Sequence, residues 1–396
     1  MPRPAFEVAD IVRSLRASLR AGLSRDQHRA VSAIEACRTA VLGGHVSACQ
    51  DCAHIDVAYR SRHNRHCPKC PAAAAYDWLE ARKRGLLPVA YYHVVLTLPA
   101  ALADIAFTNK AAVYDAMLKA TAETLMIIGA DPKHLGARLG ATLVLHTWGS
   151  AMTHHLHIHG IVPGGGLSAD GTRWIDCRPR FFLPVEALSS LLHRLMCERL
   201  EALHAKGELR FFGRNEELAE QGAFAVLMRR ERQRDWAVYA KAPFAGPEQV
   251  LAYLARYTHR IAISNSRITA FNGERVTFKV KDYRKAGADR YGSMTPSAPA
   301  FMRRFLSHVL PTGVHRIRYV GFLANAQRAR QIARARELLA DRMTPPLPAP
   351  EPAEPIAETV PLPAPCPCCG GRMILSQIIE RGSVVRGPVV KRPDTS

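Results

Sequence analysis

The chain has 396 residues, enough for two or three domains, and its hydrophobic content of 48% is ordinary for a globular protein. Its 54 Lys and Arg against 34 Asp and Glu leave a net charge of +20. That surplus predicts a polyanionic partner, nucleic acid before an acidic membrane surface, with a merely basic soluble protein as the alternative. The N-terminus is a charged helical pattern without a secretory signal, and the most apolar stretch, residues 85–107, is too interrupted by prolines and polar residues for a membrane span.

The N-terminal part combines helices with clustered cysteines. Residues 8–40 are predicted helical, with Ser24 and Gln27 spaced as a capping box. Two Cys-x-x-Cys pairs follow, separated by fourteen residues, and in a chain without an export signal this pattern favours metal over disulfides. Four thiolates with no open position predict one closed, structural zinc site, formed by Cys49, Cys52, Cys67 and Cys70.

Several other residues around the cysteine pairs bear on metal or nucleic acid. Basic residues, Arg65 among them, crowd the pairs, and a basic zinc ribbon can dock on DNA or RNA or equally on its own protein. Spare candidates for a second metal, each individually expected not to be a ligand, are Cys37, His45, His54, His63 and His66.

A histidine-rich strand dominates the middle of the chain. Helices are predicted at 72–87 and 109–128 and strands at 91–98, 141–148 and 153–163. His155, His157 and His159 are spaced by two, so in an extended strand they share one face. Such a set suits a metal, and the alternative is a strand with solvent-facing histidines.

The residues on either side of this strand extend the candidate site. If residues 150–153 form a hairpin loop centred on Ala151 and Met152, His146 falls opposite His157 and adds a third nitrogen. A slip of one residue would turn His146 away. The glycines at 164–166 are expected to end the strand and to allow close approach of a backbone or a phosphate.

The second half of the chain carries the remaining candidate residues. A helix is predicted at 184–203 and a strand at 236–241. A helix opening at residue 246 places Tyr253 and Tyr257 on one face, and for these tyrosines the spacing alone favours simple packing. Arg256 and Arg260 lie on a neighbouring face and are candidate contacts to nucleic acid. A hairpin is predicted at 267–280, with its turn at Asn272 and Gly273. It leads into the basic residues Lys281 and Arg284, with Tyr283 between them, and this combination suits a contact with nucleic acid or a solvent-exposed strand edge.

The C-terminal part contains a linker and an incomplete metal motif. Residues 343–365 are rich in proline and predict an extended linker. In the tail, residues 366–396, Cys366 and Cys369 make one zinc knuckle with no second pair after it. The knuckle is therefore either degenerate or completed by ligands from elsewhere in the chain.

These pieces fit one kind of chemistry. A divalent ion held by imidazoles can polarise a phosphodiester, and a tyrosine hydroxyl can attack the phosphorus and remain joined to the DNA. Two tyrosines on one helix face would permit two such strand transfers in turn. By ligand softness, imidazole suits Mn²⁺ or Zn²⁺ better than Mg²⁺.

The chain resembles the HUH-type rolling-circle transposases of bacterial insertion sequences, of the insertion-sequence-ninety-one type. The stretches that carry the resemblance keep their order over roughly residues 30 to 330: 37–39, 42–45, 64–70, 93–99, 145–149, 155–166, 253–260 and 281–284. Two departures concern metal ligands. Arg62 stands where members often carry a cysteine, and Leu156 replaces a proline next to His155.

The resemblance implies an α+β fold, with an antiparallel-sheet HUH endonuclease domain of ferredoxin or RRM type preceded by helices and a zinc ribbon. The implied division is a zinc-binding domain at 1–85 and a catalytic domain at 86–342, followed by the linker and the tail. The resemblance implies His157 and His159 as metal ligands, with His146 and His155 as further candidates, and Tyr253 or Tyr257 as the nucleophile. It also implies structural Zn²⁺ and catalytic Mg²⁺ or Mn²⁺.

The predicted function is metal-dependent nicking and strand transfer of single-stranded DNA through a 5′-phosphotyrosine intermediate in rolling-circle transposition. The partners are single-stranded DNA and the ends of the protein's own element, with no membrane and no small-molecule substrate; an oligomer is compatible with the sequence. The expected location is the bacterial cytoplasm, on the nucleoid. The alternatives are a replication initiator or relaxase with the same chemistry, and an inactive zinc-ribbon DNA-binding protein.

Overall fold

The structure is a computed structural model that describes residues 5–241, 251, 262–282, 285–340 and 365–383. Ser24 and Gln27 form the predicted capping box, because each side chain bonds the backbone of the other residue. The helices of the described residues are α1 (Val8–Ser14), α2 (Arg16–Leu19), α3 (Arg25–Ala36), α4 (Pro71–Lys83), α5 (Ala103–Thr108), α6 (Lys110–Ala130), α7 (Val185–Ala205), α8 (Gln221–Arg232), α9 (Ala298–Leu306) and α10 (Arg328–Ala340).

The strands confirm the predicted mixture of helices and antiparallel sheet. Those within the described ranges form four sheets, and every strand pair in these sheets is antiparallel. The strands are β1 (Gly44–Cys49), β2 (Ile55–Tyr59), β3 (Tyr91–Thr97), β4 (Gly140–Trp148), β5 (His154–Pro163), β6 (Gly165–Leu167), β7 (Trp174–Asp176), β8 (Val238–Lys241), β9 (Ile268–Phe271), β10 (Val276–Lys281), β11 (Tyr291–Met294), β12 (Ile317–Gly321) and β13 (Met373–Ile379).

The central sheet has five strands in the order β12-β4-β5-β3-β8. Alternate residues of β5 point to opposite faces, so Leu156, Ile158 and Val162 fall on one side. All three are buried in the main hydrophobic core, to which α5, α6 and α7 contribute. The opposite side, called here the histidine face, carries the odd-numbered residues of β5, including His157 and His159. Helices α5, α6 and α7 cover the first face, and the histidine face carries the candidate metal ligands.

The N-terminal helices share a second core with the later part of the chain. Val8 and Ile11 of α1 are buried together with Phe278 of β10 and Phe301 of α9. A hydrogen bond from the Val8 backbone N–H to Asn265 Oδ1, 3.1 Å long, joins the same two regions. This core therefore crosses the predicted domain boundary at residue 85.

The tail completes the N-terminal ribbon. Strand β1 lies between β2 and β13, so the strand after the proline-rich segment pairs along the whole of β1. Gly43 permits the close approach of β13, since its φ is +67° and a Cβ there would lie 2.5 Å from the Ile379 carbonyl oxygen. The segment that the sequence sets apart is thus an integral strand of the ribbon.

The structure makes two local predictions more specific: the position of the hairpin turn and the role of the glycines at 164–166. The hairpin turn spans residues 272–275, because Phe271 pairs with Val276. At residues 164–166 the close neighbour is protein backbone: a Cβ on Gly165 would lie 2.5 Å from the Ile175 carbonyl oxygen, and one on Gly166 equally close to that of Arg138. These glycines therefore serve strand packing. Among the described helices, none is long and apolar enough to cross a membrane.

Candidate metal centres and active site

Three histidines meet on the histidine face of the central sheet. His146 on β4 pairs with His157 on β5, which confirms the predicted register. Residues opposite each other in antiparallel strands point to the same side. The ligand nitrogens of His146, His157 and His159 consequently lie within 4.8 Å of one another.

Hydrogen bonds select the ring nitrogen that two of these histidines can offer. His157 Nδ1 lies 2.8 Å from the carbonyl oxygen of His155 and must donate to it, since a carbonyl only accepts. His159 Nδ1 lies 2.7 Å from His93 Nε2. His157 therefore keeps Nε2 for a ligand, and His159 does so in the tautomer in which its Nδ1 donates to His93, the arrangement in which a hydrogen bond on one nitrogen orients the other toward a metal.

Burial keeps these imidazoles neutral. It lowers the pKa of His157 to about 4 and holds the pKa values of His146 and His159 well below the ordinary value. Repulsion between neighbouring histidines, which would arise if more than one were protonated, and the charge of the buried Arg316 lower the pKa of His146 further. Because a metal binds only the unprotonated ring, this environment suits a divalent cation. Three imidazoles leave coordination positions for a substrate oxygen.

The fourth predicted histidine lies outside the cluster. His155 is exposed, and its nitrogens do not belong to the group that could hold an ion. Its backbone carbonyl nevertheless orients His157. The residue that the sequence reasoning missed is His93 on β3, whose ring stacks on that of His159 with centroids 5.0 Å apart. The alternation of residues in β3 places His93 on one face of that strand, but only the order of strands in the sheet shows that His93 lies beside His159.

We expect His93→Ala to weaken the binding of a divalent metal ion at the three-histidine cluster about 10–100-fold, the usual effect of removing a residue that orients a metal-bound histidine. Titration of Mn²⁺ followed by calorimetry measures this loss. His315→Ala, which removes an exposed histidine, is the matched control. An unchanged affinity for Mn²⁺ in His93→Ala would contradict an orienting role.

The cysteines form two clusters, and the predicted single site of Cys49, Cys52, Cys67 and Cys70 is wrong in its pairing. The tail supplies the partners of the first pair, with Sγ–Sγ distances of 3.5 Å from Cys49 to Cys369 and 3.6 Å from Cys52 to Cys366. A tetrahedral site with Zn–S bonds of 2.3 Å needs sulfurs about 3.8 Å apart, so the four fit zinc. The four-thiol cluster is Cys49, Cys52, Cys366 and Cys369.

The second predicted pair belongs to a different cluster. Cys67 and Cys70 meet Cys37, and all three sulfur atoms lie within 4.8 Å of one another. Spacing along the chain could not reveal this arrangement, because strand β2 separates the two Cys-x-x-Cys pairs and the tail supplies the partners of the first pair. His66 is no ligand here, since its Nε2 accepts a hydrogen bond of 3.2 Å from the Leu310 backbone N–H.

The predicted nucleophiles, Tyr253 and Tyr257, lie outside the described residues, as do Arg256, Arg260 and Arg284. The nearest described residue before them is Leu251, which is buried with Tyr91 and Ile161. Both of these residues lie on the histidine face, because Ile161 and His159 are two apart on β5 and Tyr91 pairs with Pro163. The chain therefore enters the tyrosine segment on the side of the sheet that carries the metal candidates.

Arg65 has a structural position rather than the expected nucleic-acid contact. Its guanidinium donates to the carbonyl oxygens of Val314 at 2.8 Å and Pro311 at 3.1 Å, and more weakly to that of Leu310. The arginine thus ties the cysteine-bearing loop to the segment before β12. Lys281, by contrast, ends β10 with its ammonium 5.3 Å from the ring centroid of the exposed Tyr291.

We expect Arg65→Ala to lower the free energy of unfolding by about 1–2 kcal/mol, because three carbonyls lose a charged donor and the side chain is partly exposed. The slope of DNA affinity against salt concentration should not change, since a phosphate contact would reduce it by about one. Denaturant unfolding measures the change in stability, and DNA binding at several salt concentrations measures the slope. A reduced slope with unchanged stability would restore a role in DNA binding.

Comparisons with known proteins match this chain to transposases. Residues 140–330 match the family profile described as "Putative transposase", and residues 8–98 match that described as "Transposase zinc-binding domain". The protein called putative transposase y4qJ of Sinorhizobium fredii is 52% identical over 342 residues, which cover 86% of this chain and 85% of the relative. The transposase for insertion sequence element IS801 of Pseudomonas savastanoi pv. phaseolicola is 27% identical over 92% of this chain and 87% of its own.

Among solved structures, the conjugative relaxase TrwC in complex with OriT DNA is similar over 63% of this chain and 72% of its own. The sequence identity is 15% and the TM-score is 0.24.

Proposed function

The chain belongs to the insertion-sequence transposases of the insertion-sequence-ninety-one type, and on that premise we propose that it nicks and rejoins single-stranded DNA at the ends of its own element. The reaction proceeds through a 5′-phosphotyrosine and serves rolling-circle transposition. Its place of action is the nucleoid in the bacterial cytoplasm.

The observation that carries this proposal is the cluster of three neutral imidazoles on the histidine face of the central sheet. His146, His157 and His159 converge within 4.8 Å. Leu251, two residues before Tyr253, packs on the same face. A ligand set for a divalent cation and the entry to a pair of tyrosines therefore share one surface.

Each residue has a defined part in the reaction. His146, His157 and His159 hold Mg²⁺ or Mn²⁺, which when bound polarises the scissile phosphodiester. The hydroxyl oxygen of Tyr253 or Tyr257 attacks the phosphorus and forms the phosphotyrosine bond, while the P–O3′ bond breaks. The tyrosine proton leaves to solvent, and the departing 3′ oxygen takes up a proton. A free 3′ hydroxyl reverses the step, so the second tyrosine can act in a second transfer.

The histidine face also offers contacts for a single strand of DNA. Tyr239 on the edge strand β8 is 47% exposed, and it lies in one row with Val95 and His159 across three strands. The Lys241 ammonium lies 5.2 Å from its ring centroid. An exposed aromatic ring beside a cation is the combination that stacks bases and attracts phosphates. Binding should weaken steeply as salt is raised.

We expect a covalent protein–DNA adduct when the protein is mixed with labelled single-stranded DNA that carries the element ends and Mg²⁺ or Mn²⁺. On a denaturing gel the adduct should require the metal. It should disappear in the Tyr253→Phe, Tyr257→Phe double variant, because neither ring then carries a nucleophilic oxygen. The single variants identify the tyrosine that cuts first.

Tyr239→Phe is the control for this experiment, since it removes a hydroxyl but keeps an aromatic ring on the same face. It should retain the adduct. Absence of any adduct from the unaltered protein, with tight binding of single-stranded DNA, would instead support a DNA-binding protein without catalysis.

A further inference from the structure

A second metal position lies at the start of α4. Cys37 follows the last residue of α3, and Cys67 and Cys70 lie in the turn that leads into α4. The sulfur atoms of Cys37 and Cys70 are 3.3 Å apart, similar to the spacing inside the four-thiol cluster. All three cysteines are free of disulfides. Their sulfurs are therefore arranged to share one soft metal ion, for which thiolates are the preferred ligands.

This cluster has only three thiolates. Among the residues that the structure describes, no further Cys, His, Asp or Glu joins the group. The polar atom at its edge is Ser61 Oγ, which donates a hydrogen bond of 3.1 Å to Cys70 Sγ. A neutral hydroxyl is a weaker zinc ligand than a thiolate, so the fourth position falls to Ser61 or to water. Three protein ligands with water in the fourth position leave that position exchangeable, in contrast to a closed site.

We propose that Cys37, Cys67 and Cys70 hold a second zinc ion with an exchangeable fourth ligand beside Ser61, and that this ion fixes helix α4 against the histidine face. The chain would then carry two zinc ions of different lability in its ribbon region. The four-thiol cluster binds the inert ion and joins the tail to β1. The three-thiol cluster, defined by these three cysteines, binds the labile one.

Helix α4 connects this ion to the catalytic face. Cys70 is the residue immediately before the helix. Eight residues further on, Trp78 and Leu79 pack against the buried group of Tyr91, Ile161 and Leu251. The Trp78 indole also donates a hydrogen bond of 3.1 Å to the Tyr319 hydroxyl on β12. The distal half of α4 is thus held by the sheet, and the cysteine cluster anchors its beginning.

Release of zinc to a colour-forming chelator tests the two sites in the full chain. The whole series carries His157→Ala, so that the catalytic histidines contribute no metal. We expect two phases of equal amplitude. Cys37→Ser should remove the fast phase and Cys366→Ser the slow one. In Ser61→Cys a fourth thiolate closes the three-thiol cluster, so the fast phase should slow by about tenfold or more.

Ser18→Cys is the matched control for Ser61→Cys, because it adds a thiol at an exposed position away from both clusters. It should leave both phases unchanged. Substitution with Co²⁺ gives an independent signature, since the sulfur-to-metal absorption rises with each added thiolate and should increase in Ser61→Cys alone. A single phase of release, a Cys37–Cys70 disulfide in the isolated protein, or a fast phase insensitive to Ser61→Cys would overturn the labile site.

Hydrogen exchange tests the coupling to α4. Removal of only the fast zinc should increase exchange in α4 several-fold, while β13 keeps its protection because the four-thiol cluster remains filled. Unchanged exchange in α4 would separate the metal from the helix and overturn that half of the proposal. These measurements follow metal and backbone directly and do not depend on nicking.

Discussion

Replacing His157 or His159 with alanine is expected to reduce nicking at least about a thousandfold, a loss of about 4 kcal/mol in transition-state stabilisation. Each imidazole supplies one of the three nitrogens that converge, within the described part of the chain, on the histidine face of the sheet. Loss of one leaves too few ligands to hold a divalent cation beside the scissile phosphate. Cleavage of labelled single-stranded DNA in Mn²⁺, followed as a single turnover, measures the effect.

His155→Ala is the matched control, since it removes an imidazole from the same strand but from outside the cluster. Its backbone carbonyl, which orients His157, remains in place. The control should keep nicking within a few-fold of the unaltered protein. Full nicking by His157→Ala or His159→Ala, with the fold intact by circular dichroism, would contradict the assignment of the metal site.

Replacing Cys366 or Cys369 with serine is expected to remove one zinc ion per chain and to unfold the sheet of β1, β2 and β13. Binding of a structural zinc contributes about 10–16 kcal/mol of apparent free energy, as much as or more than the whole net stability of a typical domain. The buried group of this sheet consists of Cys49, Cys366 and Met373, so little apolar core remains to hold the three strands together without the metal. Zinc stoichiometry and protection of β13 from hydrogen exchange measure the two effects.

Cys368→Ser provides an internal comparison within the same turn. Cys368 is exposed, lies 3.4 Å from His54 Nδ1 and does not belong to the four-thiol cluster. This variant should retain the zinc and the protection of β13. Equal loss in Cys368→Ser and Cys366→Ser would show that the turn as a whole, rather than the four sulfurs, holds the tail.

The strand pair β4–β5, which carries the candidate metal ligands, was the most predictable part of the molecule. Alternation in β5 separates the histidines from Leu156 and Ile158, and a short hairpin loop sets the register that brings His146 opposite His157. These are local relations, which a sequence states directly. His93 was missed because its place beside His159 depends on the order of strands in the sheet, which local spacing does not determine.

The metal ligands of the ribbon were predictable in kind but not in pairing. Two Cys-x-x-Cys pairs close together favour one shared site, yet Cys49 and Cys52 meet a pair more than 300 residues away. The incomplete knuckle at Cys366 and Cys369 was the available signal, because a half site needs ligands from elsewhere. Arg65 shows the same limit: its basic neighbourhood suggested DNA, whereas the fold supplies carbonyl oxygens as partners.

Closure of the ribbon by the tail also has a consequence for synthesis of the protein. Cys52 and Cys366 are 314 residues apart in the chain. At about 5–20 residues per second, the ribosome delivers the second half of this site roughly 15–60 s after the first. During that interval β1 and two thiols lack their partners, so the ribbon can mature only after Cys366 and Cys369 have left the ribosome. A product that terminates before Cys366 would lack this site, so the bound metal distinguishes chains that extend through the tail from those that stop before it.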